Sequence, residues 1–172
     1  MFLKGFKEKS NQKYINKLLT EKIGGVNSNK IKTVGVILNL NEFTDYDAFK
    51  SFFKTLNVAE TAIEIVGFID KDKEPHNLAG TYFSVKDFGW KDTFKNIELK
   101  NFLNKEFDAL ICFYKQDVVQ LNLMAAASQA NFKIGLSGLD DRLYDLIIDV
   151  KPEEISVFNN ELKKYLTILN KL

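Results

Sequence analysis

The chain is poor in the residues that staple small exported folds and in those that carry redox or metal chemistry. It has one cysteine, one histidine, two prolines and two methionines. A single cysteine excludes a disulfide framework and a thiolate metal cluster. Cys112 lies inside an apolar run, the place of a core side chain, and a count this low is compatible with a reducing compartment. His76 stands in a polar loop beside Pro75, where a lone histidine is far more often a bystander than a catalyst. No apolar run approaches the ~20 residues that span a bilayer. Lys4, Lys7 and Lys9 interrupt the apolar stretch that an export signal needs, so a cytoplasmic protein is expected. Glycine is missing from the segment 39–44, where a nucleotide fold would need it, and no Gly-Lys-Ser/Thr follows. That excludes a dinucleotide fingerprint and a P-loop. An excess of one charge is missing too. Lys and Arg total 24 against 23 Asp and Glu, for a net charge of +1, which makes no global case for nucleic acid.

What the chain does have is aromatic bulk and a regular succession of apolar runs and amphipathic segments. Its 172 residues suit one domain, and 45% apolar residues with 15 Phe and six Tyr supply an aromatic core. Residues 107–113 form a short continuous apolar run, as a buried parallel strand does. Residues 117–131 read as a helix, and 132–136 and 146–150 as two further strands. A strand, a crossover helix and a strand in succession imply a parallel sheet with right-handed crossovers. Upstream, 33–38 and 63–69 read as strands and 81–85 as a short one. Thr44 or Asp45 caps a helix running to about residue 57, with Phe49, Phe52, Phe53 and Leu56 facing inward. A loop over 87–96 carries Trp90, and a short helix covers 98–105. The last helix is predicted over 152–170, with Pro152 near its first turn and Glu153 and Glu154 behind it. Ile155, Phe158, Leu162, Tyr165, Leu166 and Leu169 form its apolar stripe. The expected fold is α/β: a Rossmann-like three-layer sandwich over 31–172 with a mostly parallel sheet of about six strands, order 3-2-1-4-5-6. A basic amphipathic helix over 1–25 precedes it as a unit of its own.

In that order the switch point lies between the first and fourth strands, flanked by 39–44 and 114–117. The candidate ligand contacts there are Asn39, Asn41, Asp45, Tyr114, Lys115 and Asp117, with Glu42 and Gln116 among them. Loops are polar anyway, and Asp117 with Gln120 has the spacing of a helix capping pair, which is the favoured reading of those two. Asp70, Asp72 and Glu74 alternate as in a calcium loop but lack its glycine and distal Glu, so a solvated turn is favoured. No catalytic residue, metal site or cofactor is assigned.

The clearest charge feature is the segment 2–23, with Lys4, Lys7, Lys9, Lys13, Lys17 and Lys22 against Glu8 and Glu21. Such a helix can lie on an anionic membrane with Phe2, Leu3 and Phe6 inserted, or meet an acidic protein or RNA. The plainer reading packs Tyr14, Ile15, Leu18 and Leu19 on the sheet or on another subunit and leaves the lysines in solvent. Lys4, Phe6, Lys7, Lys13 and Lys17 are the candidate interaction residues.

Phe107-Asp108 with its apolar run through Cys112, and Lys133-Ile134-Gly135 after the next helix, resemble the amino-terminal half of heptosyltransferase-type glycosyltransferases. The resemblance covers roughly a quarter of the chain and implies a sugar-nucleotide fold half. The Gly-Asp pair that such enzymes carry after their first strand is not matched in 39–47. The whole chain, with its lysine-rich leading helix, its Phe-Asp strand and its Ile134-Gly135-Leu136 strand, is similar to an uncharacterised domain family of Bacteroidota. The function expected is interaction without catalysis. The basic helix would meet a protein partner, a twin subunit or a membrane face, and no specific nucleic acid is expected. The alternative is a small-molecule or sugar-nucleotide binder using the crevice.

Overall fold

The computed structural model describes residues 2–21 (side chains from residue 5), 25–70, 80–89 and 93–172. His76, Trp90, the pair Asp72 and Glu74, the helix end expected at Gly24 and the side chain of Lys4 lie outside the described residues. Six strands form one sheet: β1 (Val34–Asn39), β2 (Ile63–Ile69), β3 (Thr81–Ser84), β4 (Ala109–Phe113), β5 (Phe132–Leu136) and β6 (Leu146–Ile148). Five helices connect or flank them: α1 (Phe2–Glu21), α2 (Tyr46–Thr55), α3 (Ile97–Asn104), α4 (Val119–Ala127) and α5 (Ile155–Ile168). The strand order is β3-β2-β1-β4-β5-β6 and every pairing is parallel. This is the Rossmann-like order expected from the sequence, with a sheet that is parallel throughout.

Alternation along the strands sends successive side chains to opposite faces. Val34, Val36 and Leu38 of β1 join Ile111 and Phe113 of β4 on one face, where Phe49 and Phe53 of α2 and Phe158, Leu162 and Leu166 of α5 cover them. Ile37, Leu110 and Cys112 face the other way, onto Leu99 and Phe102 of α3 and Leu121 and Met124 of α4. Phe113, the last residue of the central β4, is a hub of edge-to-face rings. Its centroid lies 5.0 Å from Phe43, 5.1 Å from Phe49 and 4.9 Å from Phe158.

Helix α1 packs against α4 and so extends the sandwich on that side. Ile15 is buried there, with Tyr14 and Leu19 beside it. Helix α4 is therefore enclosed by the sheet on one side and α1 on the other. Residues 120–125 are all buried, which is why an Ala- and Leu-rich segment lacks a polar face.

Several boundaries differ from the sequence reading, most strands by one or two residues, and β6 ends at Ile148 rather than 150. Helix α4 is shorter than 117–131 at both ends, and the residue before it, Val118, offers no side-chain cap. The expected capping pair is therefore not made: Asp117 accepts instead from Asn122 Nδ2 at 2.6 Å. Helix α5 begins at Ile155, because Lys151 N donates to Glu154 Oε2 and holds a turn around Pro152. Asp45, by contrast, caps α2 as expected, accepting from Ala48 N at 3.0 Å. Among the described residues no helix is long and apolar enough to cross a membrane.

Candidate functional site at the switch point

Strand β1 ends on Asn39 and the neighbouring β4 ends on Phe113, so the loops that follow them meet over the carboxyl ends of the two central strands. The Asn39 side chain is fully buried and organises both loops. Its Oδ1 accepts from Asn41 N and Asn41 Nδ2, each at 3.1 Å. Its Nδ2 donates to Glu42 Oε2 at 2.9 Å and to Gln116 Oε1 at 3.2 Å. The Glu42 carboxylate then reaches across to the loop after β4. It accepts from Lys115 N at 3.1 Å on both oxygens, and from Gln116 N at 3.2 and 3.3 Å. Two backbone N–H groups and one buried side-chain amide therefore converge on a single carboxylate.

The rim of this arrangement is charged. Lys115 Nζ lies 3.5 Å from Asp149 Oδ1, and Ser137 Oγ bonds the same carboxylate. The Ser137 hydrogen bond, followed by Lys115, holds the Asp149 carboxyl below its usual range.

Behind the rim a polar chain runs into the core. Tyr144 OH donates to Tyr114 OH at 3.2 Å, Tyr114 OH to Asn122 Oδ1 at 3.4 Å, and Asn122 Nδ2 to the exposed Asp117. Tyr114 is fully buried, so its side chain belongs to the core beneath α4 and not to the crevice. Desolvation raises the Tyr114 and Tyr144 hydroxyls well above the usual phenol range and pushes the adjacent Cys112 thiol up to about 12. These groups stay protonated at neutral pH, and the thiol is no nucleophile. Gly135 lets the Tyr144 ring lie flat on β5, since a Cβ there would come within 2.5 Å of the ring.

The structure thus unites Asn39, Asn41 and Lys115 at one place and seats Asp45 at the helix cap. It turns Tyr114 inward and ties Asp117 to Asn122. The sequence reading weighed Glu42 and Gln116 as polar loop residues, but nothing in it marked Glu42 as the link between the two loops. Nothing in the sequence marks Asn122 or Tyr144 directly, although a glycine within a strand, as at Gly135, signals close approach of another group.

On α1, Lys7 Nζ donates to Phe88 O at 2.6 Å, and burial together with Lys95 lowers the pKa of this ammonium. Lys13 and Lys17 are exposed, the latter 3.9 Å from Glu21, and Phe6 is 60% exposed. A cavity of about 600 Å³ opens at the opposite, amino end of the strands, among Leu18, Glu106, Asp108, Gln129, Lys133 and Arg142. Asp108, Lys133 and Arg142 are committed to the fold. Asp108 Oδ2 accepts from Lys32 N, Thr33 N and Thr33 Oγ1. Lys133 Nζ donates to Ala125 O at the end of α4, and Arg142 pairs with Asp140 at 2.6 Å. Among the described residues no group of three or more His, Cys, Asp or Glu is placed to hold a metal ion.

A family model described as "Family of unknown function (DUF6913)" matches residues 7–169. The chain belongs to that family. The matched span runs from the first third of α1 through α5, so the DUF6913 region takes in the leading helix as well as the sheet. No curated protein and no solved structure matches the chain.

Proposed function

We propose that this DUF6913 domain works by docking the outward side of α1 on an acidic face of another protein. The observation that supports the reading is the stripe Phe6, Lys9, Lys13 and Lys17. Its members follow one another about one helical turn apart and are all exposed, while Asn11 and Ile15 are buried. An aromatic anchor beside a row of cations suits a partner surface of opposite charge, which gains on-rate and register from complementarity. With a net charge of +1 over the chain, this side is a local concentration of positive charge. A bilayer fits less well, because insertion needs a free apolar face, and Tyr14, Ile15 and Leu19 of α1 are packed into the core cluster that includes α4.

The test is cross-linking in the source cell from a photoreactive residue at position 13, with one at position 163 on α5 as control. The reading expects a discrete partner cross-linked from position 13 alone, at an acidic patch, and lost when Lys9→Glu and Lys17→Glu are added to that chain. Retention of the same partner by the reversed variant overturns it. So does binding to phosphatidylglycerol vesicles with no protein cross-link.

A further inference from the structure

The groups at the ends of β1 and β4 have the composition of an anion site, and the site is already filled. Lys115 N, Gln116 N and Asn39 Nδ2 all point their hydrogens at one carboxylate, with the Lys115 chain at the rim. Converging N–H groups of this kind bind phosphate and carboxylate in many folds. The place is the crevice at which open parallel sheets bind their ligands. We propose that this cradle is an anion-binding site whose resident occupant is the chain's own Glu42, and that a small phosphate- or carboxylate-bearing ligand replaces it.

Three features favour exchange over a fixed clasp. The donors are anchored independently of the occupant. Lys115 and Gln116 follow directly on β4 and the buried Tyr114, and Asn39 is fully buried with its Oδ1 held by Asn41, which fixes where its Nδ2 points. The occupant is half-buried on a loop whose neighbours Asn41 and Thr44 are exposed, so it can swing to solvent without opening the core. The carboxylate shares both its oxygens between the same two N–H groups, a geometry that a phosphate or a free carboxylate reproduces. An internal occupant competes at high effective concentration, so an external anion binds the native chain weakly and binds tightly once Glu42 is removed. The inference is independent of α1 and of any protein partner.

The experiment is titration of the 15N-labelled wild-type chain, Glu42→Ala and Glu42→Gln with inorganic phosphate and with acetate, against chloride at equal ionic strength. The expected result is saturable movement of the Lys115 and Gln116 backbone resonances and of the Asn39 side-chain amide, at least tenfold tighter in a folded variant than in wild type. Phosphate alone acting, or acetate alone, identifies the headgroup. Should Glu42→Ala lose its dispersed spectrum, Glu42→Gln, which keeps the side-chain shape, and wild type in high phosphate carry the test. A folded variant in which these three signals ignore both anions, or follow chloride equally, overturns the inference.

Discussion

The carboxylate of Glu42 binds the backbone N–H of Lys115, 73 residues further along the chain. That one relationship joins the loop after β1 to the loop after β4 and makes the switch point a closed, self-satisfied arrangement. The core beneath it is built separately, from rings and from a chain of phenols and amides that ends on Asp117. Each part makes its own prediction.

Asn11 is 1% exposed on the α4-facing side of α1, and neither of its side-chain polar atoms has a hydrogen-bond partner. A buried, unpaired amide destabilises by about 1–3 kcal/mol. Asn11→Leu, close to it in volume, is expected to raise the free energy of unfolding by about 1 kcal/mol or more. Urea denaturation followed by circular dichroism measures it, and a lower midpoint would show that the amide has a partner in solution.

Phe113 touches three other rings, so truncating it removes a large buried surface and leaves a cavity at the centre of one layer. Phe113→Ala is expected to destabilise by about 3–5 kcal/mol. Phe52→Ala, on the half-buried edge of α2, is expected to cost clearly less in the same assay.

Alkaline pH should weaken the fold. Burial raises Cys112 from 9.0 to about 12 and Tyr46 from 10.0 to about 12, and lifts Tyr114 and Tyr144 as well. Such groups hold their protons more tightly folded than unfolded. Their contribution is complete below about pH 9 and is lost as pH rises toward 12. Unfolding midpoints in urea at pH 7, 9, 10 and 11 should fall progressively, and Cys112→Val should flatten the fall. At pH 8 the native thiol should ignore a disulfide reagent that titrates it fully in urea.

How much of this could be read beforehand differs from element to element. The strands were legible because parallel strands buried on both faces leave continuous apolar runs, as in 107–113, and the α/β succession then limits the strand order to few choices. Helix α4 was legible as a helix but not in its ends. With the sheet on one side and α1 on the other it shows no polar face, and Asp117, which matched a capping pattern, is claimed by Asn122. Tyr114 read as a rim residue because it follows the apolar run directly, yet its hydroxyl is satisfied by Tyr144, 30 residues away. Glu42 could be seen only as one more polar loop residue, since two of its three donors are backbone amides and carry no sequence signal. The lysines of α1 were plain. Which of them face solvent depended on Asn11 and Ile15 turning toward α4.

Glu42 holds the two loops together, and amide hydrogen exchange at Lys115 and Gln116 reads that contact most directly. Protection of both amides in the wild-type chain, falling at least tenfold in Glu42→Ala while the β4 amides keep theirs, is the predicted result. Equal exchange at Lys115 and Gln116 in the two folded proteins would contradict it.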